Sequence, residues 1–171
     1  MNGHRRVFAG DDAGLLSKLL VVQQALLDPT LTLDAMLVCA LQQTQALVGA
    51  DGAVLQVPDG DGLVFRAATG TAAGEQGFRL PEASLSGRCL ASGETLWSDD
   101  AEQDGRVDPL ARRRLGVRSL VVAPVTAHGA TIGVLGALSS CVGAFGPRER
   151  DVLQLLAGVV GVAFQRSEAA A

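Results

Sequence analysis

Three cysteines, two histidines, a pair of serines and a belt of charged side chains between residues 99 and 118 are where this sequence could carry chemistry. Cys39, Cys89 and Cys141 are odd in number and widely spaced, so they make neither a disulfide framework nor a CxxC metal pair. His4 and His128 are too few for a histidine-rich metal site. Ser84 and Ser86 have no histidine close in sequence to activate a hydroxyl. A lone cysteine can attack a sulfoxide, but it needs a partner thiol to resolve the sulfenic acid that results. Asp99, Asp100, Asp104 and Asp108 offset Arg112, Arg113, Arg114 and Arg118, which reads as a solvated, compensated surface. No catalytic constellation emerges, and the chain is expected not to be an enzyme.

Composition narrows the classes further. Hydrophobic residues make up 48% and charged residues 19% of 171, which is ordinary for a packed globular domain. The net charge of -4 argues against a nucleic-acid partner, because phosphate binding needs a basic face. No apolar run reaches the roughly 18 to 20 residues that cross a bilayer, so no membrane partner is expected. Residues 152–164 come nearest and read as a buried helix. The N-terminus opens with charge and continues into Asp11 and Asp12, where a signal peptide would have an apolar stretch. The expected location is cytoplasmic.

The elements that must position these groups follow from periodicity. Leucines at helical spacing predict a helix over residues 12–27, apolar on more than one face and stopped at Asp28-Pro29. Thr32 reads as the N-cap of a second helix that Gly49 ends, with Asp34 well placed against its dipole. The period then changes to that of strands, over 53–57 and 63–68, joined by the turn residues 58–62. Residues 69–77 are small and glycine-rich, which predicts a mobile loop. A short extended piece (78–81), a helix (84–92) closed by Gly93, and a strand (95–98) follow. Beyond the acidic connector, Pro109 opens a short helix that Gly116 ends. Strands over 119–126 and 131–138 are apolar nearly throughout, as strands covered on both faces are. Pro147 begins a last helix to about Arg166.

Strands gathered between terminal helices imply an α+β domain. A central antiparallel β-sheet carries the N- and C-terminal helices on one face and the loop and short-helix excursion on the other. The division read from this pattern is a flexible N-terminus (1–11) and a single domain (12–171). That domain comprises a leading helix (12–30), a core (31–166) and a tail (167–171).

Four passages, in order, carry a family resemblance: residues 86–96; Asp99-Asp100 with residues 104–109; residues 115–125; and residues 133–136 with Phe145-Gly146-Pro147 and the final helix. Over residues 33–166 the chain resembles the GAF domain family of sensory and regulatory modules. The resemblance implies a GAF/PAS-like fold in which the excursion, residues 78–117, encloses a pocket. It also implies a role in signal transduction, with an unidentified small-molecule effector and an attached output domain or signalling partner. No clear haem, bilin or cyclic-nucleotide signature stands in the sequence, so the cofactor is left unassigned. The family's free methionine-(R)-sulfoxide reductases use clustered cysteines around the pocket, whereas only Cys89 falls near the pocket expected here.

Two expectations about residues follow. In the first, a ligand-binding sensor, Phe78, Leu80, Leu85, Trp97 and Val117 form an apolar lining and Arg88, Arg118 and Ser119 supply polar contacts. In the second, the chain is a dimerisation module with or without a ligand. The surplus apolar surface of the first and last helices then forms a homodimer seam through Leu19, Leu26, Val152, Leu156, Val159 and Ala163. The two are compatible, because a ligand-driven shift of such helices would drive an output domain.

Overall fold

Side-chain alternation along the strands sets the layers. The computed structural model describes residues 12–169, and the flexible stretch expected over 1–11 lies outside them. In chain order the helices are α1 (Asp12–Leu26), α2 (Leu33–Val48), α3 (Leu85–Ser92), α4 (Pro109–Leu115) and α5 (Pro147–Ala169). The strands are β1 (Gly52–Asp59), β2 (Gly62–Gly70), β3 (Arg79–Pro81), β4 (Leu96–Ser98), β5 (Ser119–Ala127) and β6 (Ala130–Ser139). They form one sheet in the order β3-β2-β1-β6-β5-β4, and every pairing is antiparallel.

One face of that sheet presents Leu55, Val121, Ala123, Leu135 and Ala137 to Leu37 and Leu41 of α2 and to Leu153 and Leu156 of α5. The other face presents Val54, Phe65, Leu120, Val122, Val134 and Leu138 to α3, α4 and their connectors. β5 and β6 contribute to both, which is why they are apolar nearly throughout. α1 packs outside this arrangement, on α2 and α5, through Leu15 and Val22.

Helix boundaries follow the caps. Thr32 Oγ1 accepts a hydrogen bond from Ala35 N at 3.2 Å, and Gly49 closes α2 in the left-handed conformation. α5 continues to Ala169, so residues 167–169 are helical where the sequence suggested a tail. The glycine-rich stretch is a bonded turn: Thr71 N donates to Asp51 O, Gly77 N donates to Phe65 O, and Ala72 is fully buried.

The expected dimer seam requires correction. Val152, Leu156 and Ala163 are buried within the chain's own core, and Leu19 and Val159 pack against it half-buried. The side chain of Leu26 lies outside the described ones. A helix with apolar residues on two faces does not announce which face the sheet takes, and the sheet took these. Leu16, Leu20 and Val21 of α1 and Leu155 and Val162 of α5 are the apolar side chains left exposed.

Candidate functional site

The floor of the site is the sheet face that turns away from α2 and α5, and its roof is made by two capped helices. Ser84 caps α3: its hydroxyl accepts from Gly87 N at 3.2 Å and donates to Pro81 O at 2.6 Å. Asp108 caps α4 by accepting from Ala111 N at 3.0 Å, with Pro109 in the first turn. Leu85 N donates to Arg106 O at 2.8 Å and so ties the start of α3 to the segment that leads into α4.

Between floor and roof lies a partly open cavity of about 40 Å³. Val54, Gln56, Phe65, Leu80, Val122 and Leu138 line it from the sheet, and Leu85, Val107, Ala111, Leu115 and Val117 from the roof. Ser84, Ser86, Asp108 and Arg112, with Gln56, add polar groups to a wall that is otherwise apolar. That volume holds small groups; a benzene-binding cavity is roughly 150 Å³, so a ring-sized occupant needs the roof to give.

Gln56 is the anomaly of the floor. It is 2% exposed, and its Oε1 has no hydrogen-bond partner. An orphaned buried acceptor costs about 1–3 kcal/mol. The β-bulge between Leu55 and Gln56 skips one residue of β2, so that Leu55 faces Ala67 and Gln56 faces Phe65. Gly136 on the neighbouring strand leaves room for the amide: a Cβ there would stand 3.2 Å from Gln56 Nε2 and 3.0 Å from Val54 Cγ2.

Of the residues expected at the site, Leu80, Leu85 and Val117 line the cavity. Phe78 backs its wall, with its ring tilted against Phe65 at 5.3 Å and the Arg114 guanidinium 5.6 Å from its centroid. The others stand elsewhere. Arg88 is on the exposed side of α3 and donates to Ala83 O. Trp97 is on the edge strand β4, 39% exposed, beneath the guanidinium of Arg150 at 3.8 Å. Arg118 faces Asp100 and Glu102, at 3.6 and 3.8 Å. Ser119 is structural: its hydroxyl donates to Cys141 O at 2.6 Å and accepts from Ala144 N at 3.2 Å, fixing the loop that leads into α5.

Sequence reasoning missed Gln56, Ser86, Asp108 and Arg112. The available signal was the lone amide in an otherwise apolar strand run, Ala53-Val54-Leu55-Gln56-Val57.

Electrostatics nearby is local pairing. Arg106 donates to both carboxylate oxygens of Asp104, at 3.0 and 2.8 Å, and to Trp97 O at 3.1 Å. Those hydrogen bonds hold the Asp104 carboxyl well below the usual carboxylate range. Burial pushes the Cys89 thiol up to about 12, which leaves it protonated and poorly nucleophilic. Cys39 on α2 is half-buried, and Cys141 is exposed in the loop after β6. Among the described residues no group of three or more His, Cys, Asp or Glu side chains could hold a metal ion. No described helix is long and apolar enough to cross a membrane.

An antiparallel sheet with helices on one face and a small roofed cavity on the other defines a class of α+β pocket domain. Within that class the sequence is specific: the family profile of the GAF domain matches residues 30–165, and the chain belongs to that family. Solved structures share the fold. Free methionine-R-sulfoxide reductase from Neisseria meningitidis, solved with its substrate, superposes with a TM-score of 0.80 at 22% identity, over 100% of both chains. The GAF domain of an Acinetobacter phosphoenolpyruvate-protein phosphotransferase gives 0.77 at 17% identity, over 92% of this chain and 96% of that one. Residues 122 to 287 of a methyl-accepting chemotaxis protein give 0.71 at 21% identity, over 87% and 98%. No curated protein matches the sequence.

Proposed function

We propose that this GAF domain is a sensory and regulatory module of signal transduction. A small-molecule effector occupies the cavity beneath α3 and α4, and its presence is relayed through α1 and α5 of a homodimer to an output domain or signalling partner. One observation carries the reading: the cavity floor and the seat of the long helix are opposite faces of the same strands. Leu120 and Val122 line the cavity while Val121 and Ala123, alternating with them, pack on the helix side. An occupant that shifts β5 is therefore felt by α5. Ser119 and the Arg150–Trp97 stack add two further links between the excursion and the start of α5.

The exposed leucines and valines of α1 and α5 favour a second reading, a dimerisation module that needs no ligand. A reductase activity like that of the Neisseria protein has less support. Its fold is shared, but Cys89 is buried and protonated, and Cys39 and Cys141 stand on a helix and a loop outside the cavity lining. We therefore read the domain as non-enzymatic, and place it in the cytoplasm.

Native mass spectrometry of the purified protein tests the proposal. A dimer that carries a small adduct, and becomes monomeric on combining Leu20→Asp with Leu155→Asp, is the expected result. An adduct-free dimer shifts the assignment to the dimerisation module. A dimer indifferent to both substitutions removes the seam.

A further inference from the structure

The cavity's polar geometry constrains what it takes. Gln56 Oε1 is buried and unpartnered on the floor, beside a bulge and diagonal to Gly136, which together give its amide space. The amide lies in a wall of valine, leucine and phenylalanine. Asp108 and Arg112 bring charges of opposite sign to the cavity lining: the carboxylate accepts from Ala111 N, and Arg112 directs Nη1 at Ala101 O at 3.4 Å. Ser84 spends its hydroxyl on Pro81 O and Gly87 N. An anion would meet the Asp108 carboxylate as well as the Arg112 guanidinium, and a cation the reverse, so neither finds a net counter-charge for the water it loses. A purely apolar one would leave the Gln56 acceptor unpaired.

We propose that the effector is a compact, uncharged molecule with an apolar body and a hydroxyl or N–H that donates to Gln56 Oε1. The proposal rests on the cavity being the effector site. The donor completes the acceptor left open at the cavity floor, while the body replaces the void beneath Leu85 and Leu115. Specificity then comes from the donor, because removing a partner from a buried acceptor is penalised more than removing a methyl group from an apolar wall.

Matched probe pairs of nearly equal shape test this: phenol against toluene, and indole against indene. Each is titrated calorimetrically into the wild-type protein and into Gln56→Met, with cross-checks by methyl NMR of Leu85 and Val122. In the wild type the donor-bearing member should bind about tenfold more tightly than its partner, as one satisfied buried hydrogen bond implies. In Gln56→Met the two members should bind alike. The substitution should also leave the unliganded melting temperature unchanged or higher, since an orphaned acceptor has been removed. Equal binding of both members to the wild type, with shifts at Leu85 and Val122, overturns the donor assignment and leaves the cavity as a site. Tighter binding of benzoate than of phenol overturns it in favour of an anion. Binding by none of the probes, nor by propan-2-ol, which asks less of the roof than a ring does, overturns both the assignment and the cavity reading beneath it. The wild-type comparison decides the matter even where Gln56→Met fails to fold.

Discussion

On the helix side of the sheet, Leu37, Leu41, Leu135, Leu153 and Leu156 are sealed to within 1% exposure, and the buried Thr44 donates its hydroxyl to Ala40 O. On the other side a cavity remains, and Gln56 is left with an unpaired oxygen. The remaining described side chains with unpaired buried polar atoms, Thr95, Ser98, Arg118 and Arg150, belong to the excursion or stack on it. The same strands thus support one face on which these leucines are sealed and one that holds a cavity and an unpaired oxygen. On the proposed function, stability resides mainly in the first and ligand binding in the second.

Cavity-making substitutions on the two faces should break this comparison if it is wrong. Leu153→Ala on the helix side should lower stability by about 3–4 kcal/mol in urea unfolding, because sealed surroundings cannot collapse into the gap. Leu85→Ala on the cavity side should cost less, about 2 kcal/mol, because it enlarges a space already partly open. Equal losses would mean that the two faces are packed alike.

Two glycines sharpen the distinction at somewhat smaller effect. A Cβ on Gly161 would fall 2.1 Å from Thr126 O, where α5 lies on β5, and one on Gly87 would fall 2.0 Å from Glu82 O, where α3 approaches β3. Gly161→Ala and Gly87→Ala should each destabilise by about 2 kcal/mol, read as a fall in melting temperature. Gly87→Ala should also alter probe binding strongly, because it displaces the roof, and Gly161→Ala more weakly, through β5. An unchanged probe affinity in Gly161→Ala would count against coupling across the sheet.

The smallest effect is expected from acid. The folded-state pKa of Asp104 is depressed by Arg106, so its contribution is full above the unfolded value of about 4 and is lost as pH falls through the folded one. Asp104→Asn should therefore melt below wild type near neutral pH, and the gap should close in thermal melts taken progressively below about pH 4. A gap that persists unchanged into acid would show that the Asp104–Arg106 pair does not brace the excursion.

Sequence alone determined the elements and their order. Thr32 and Gly49 marked α2, Ser84 and Gly93 marked α3, and Pro109 and Gly116 marked α4, because capping and left-handed termini depend on local side-chain chemistry. The apolar continuity of β5 and β6 disclosed strands covered on both faces, and the ordered passages from residue 86 to the final helix disclosed the family. Only the tertiary structure decided which side chains meet. Leu80, Leu85 and Val117 were legible as lining, but Arg88, Trp97, Arg118 and Ser119 look outward or serve the fold. Helical phase and strand parity, not proximity in the chain, direct a side chain. For the same reason Val152, Leu156 and Ala163 went to the sheet and left Leu155 and Val162 outside. Gln56 shows the limit most directly. Its amide in an apolar run is visible in the sequence, but a bulge, a glycine on the next strand and a roof from two distant helices are what leave its oxygen without a partner. Those are long-range contacts, which no local pattern encodes.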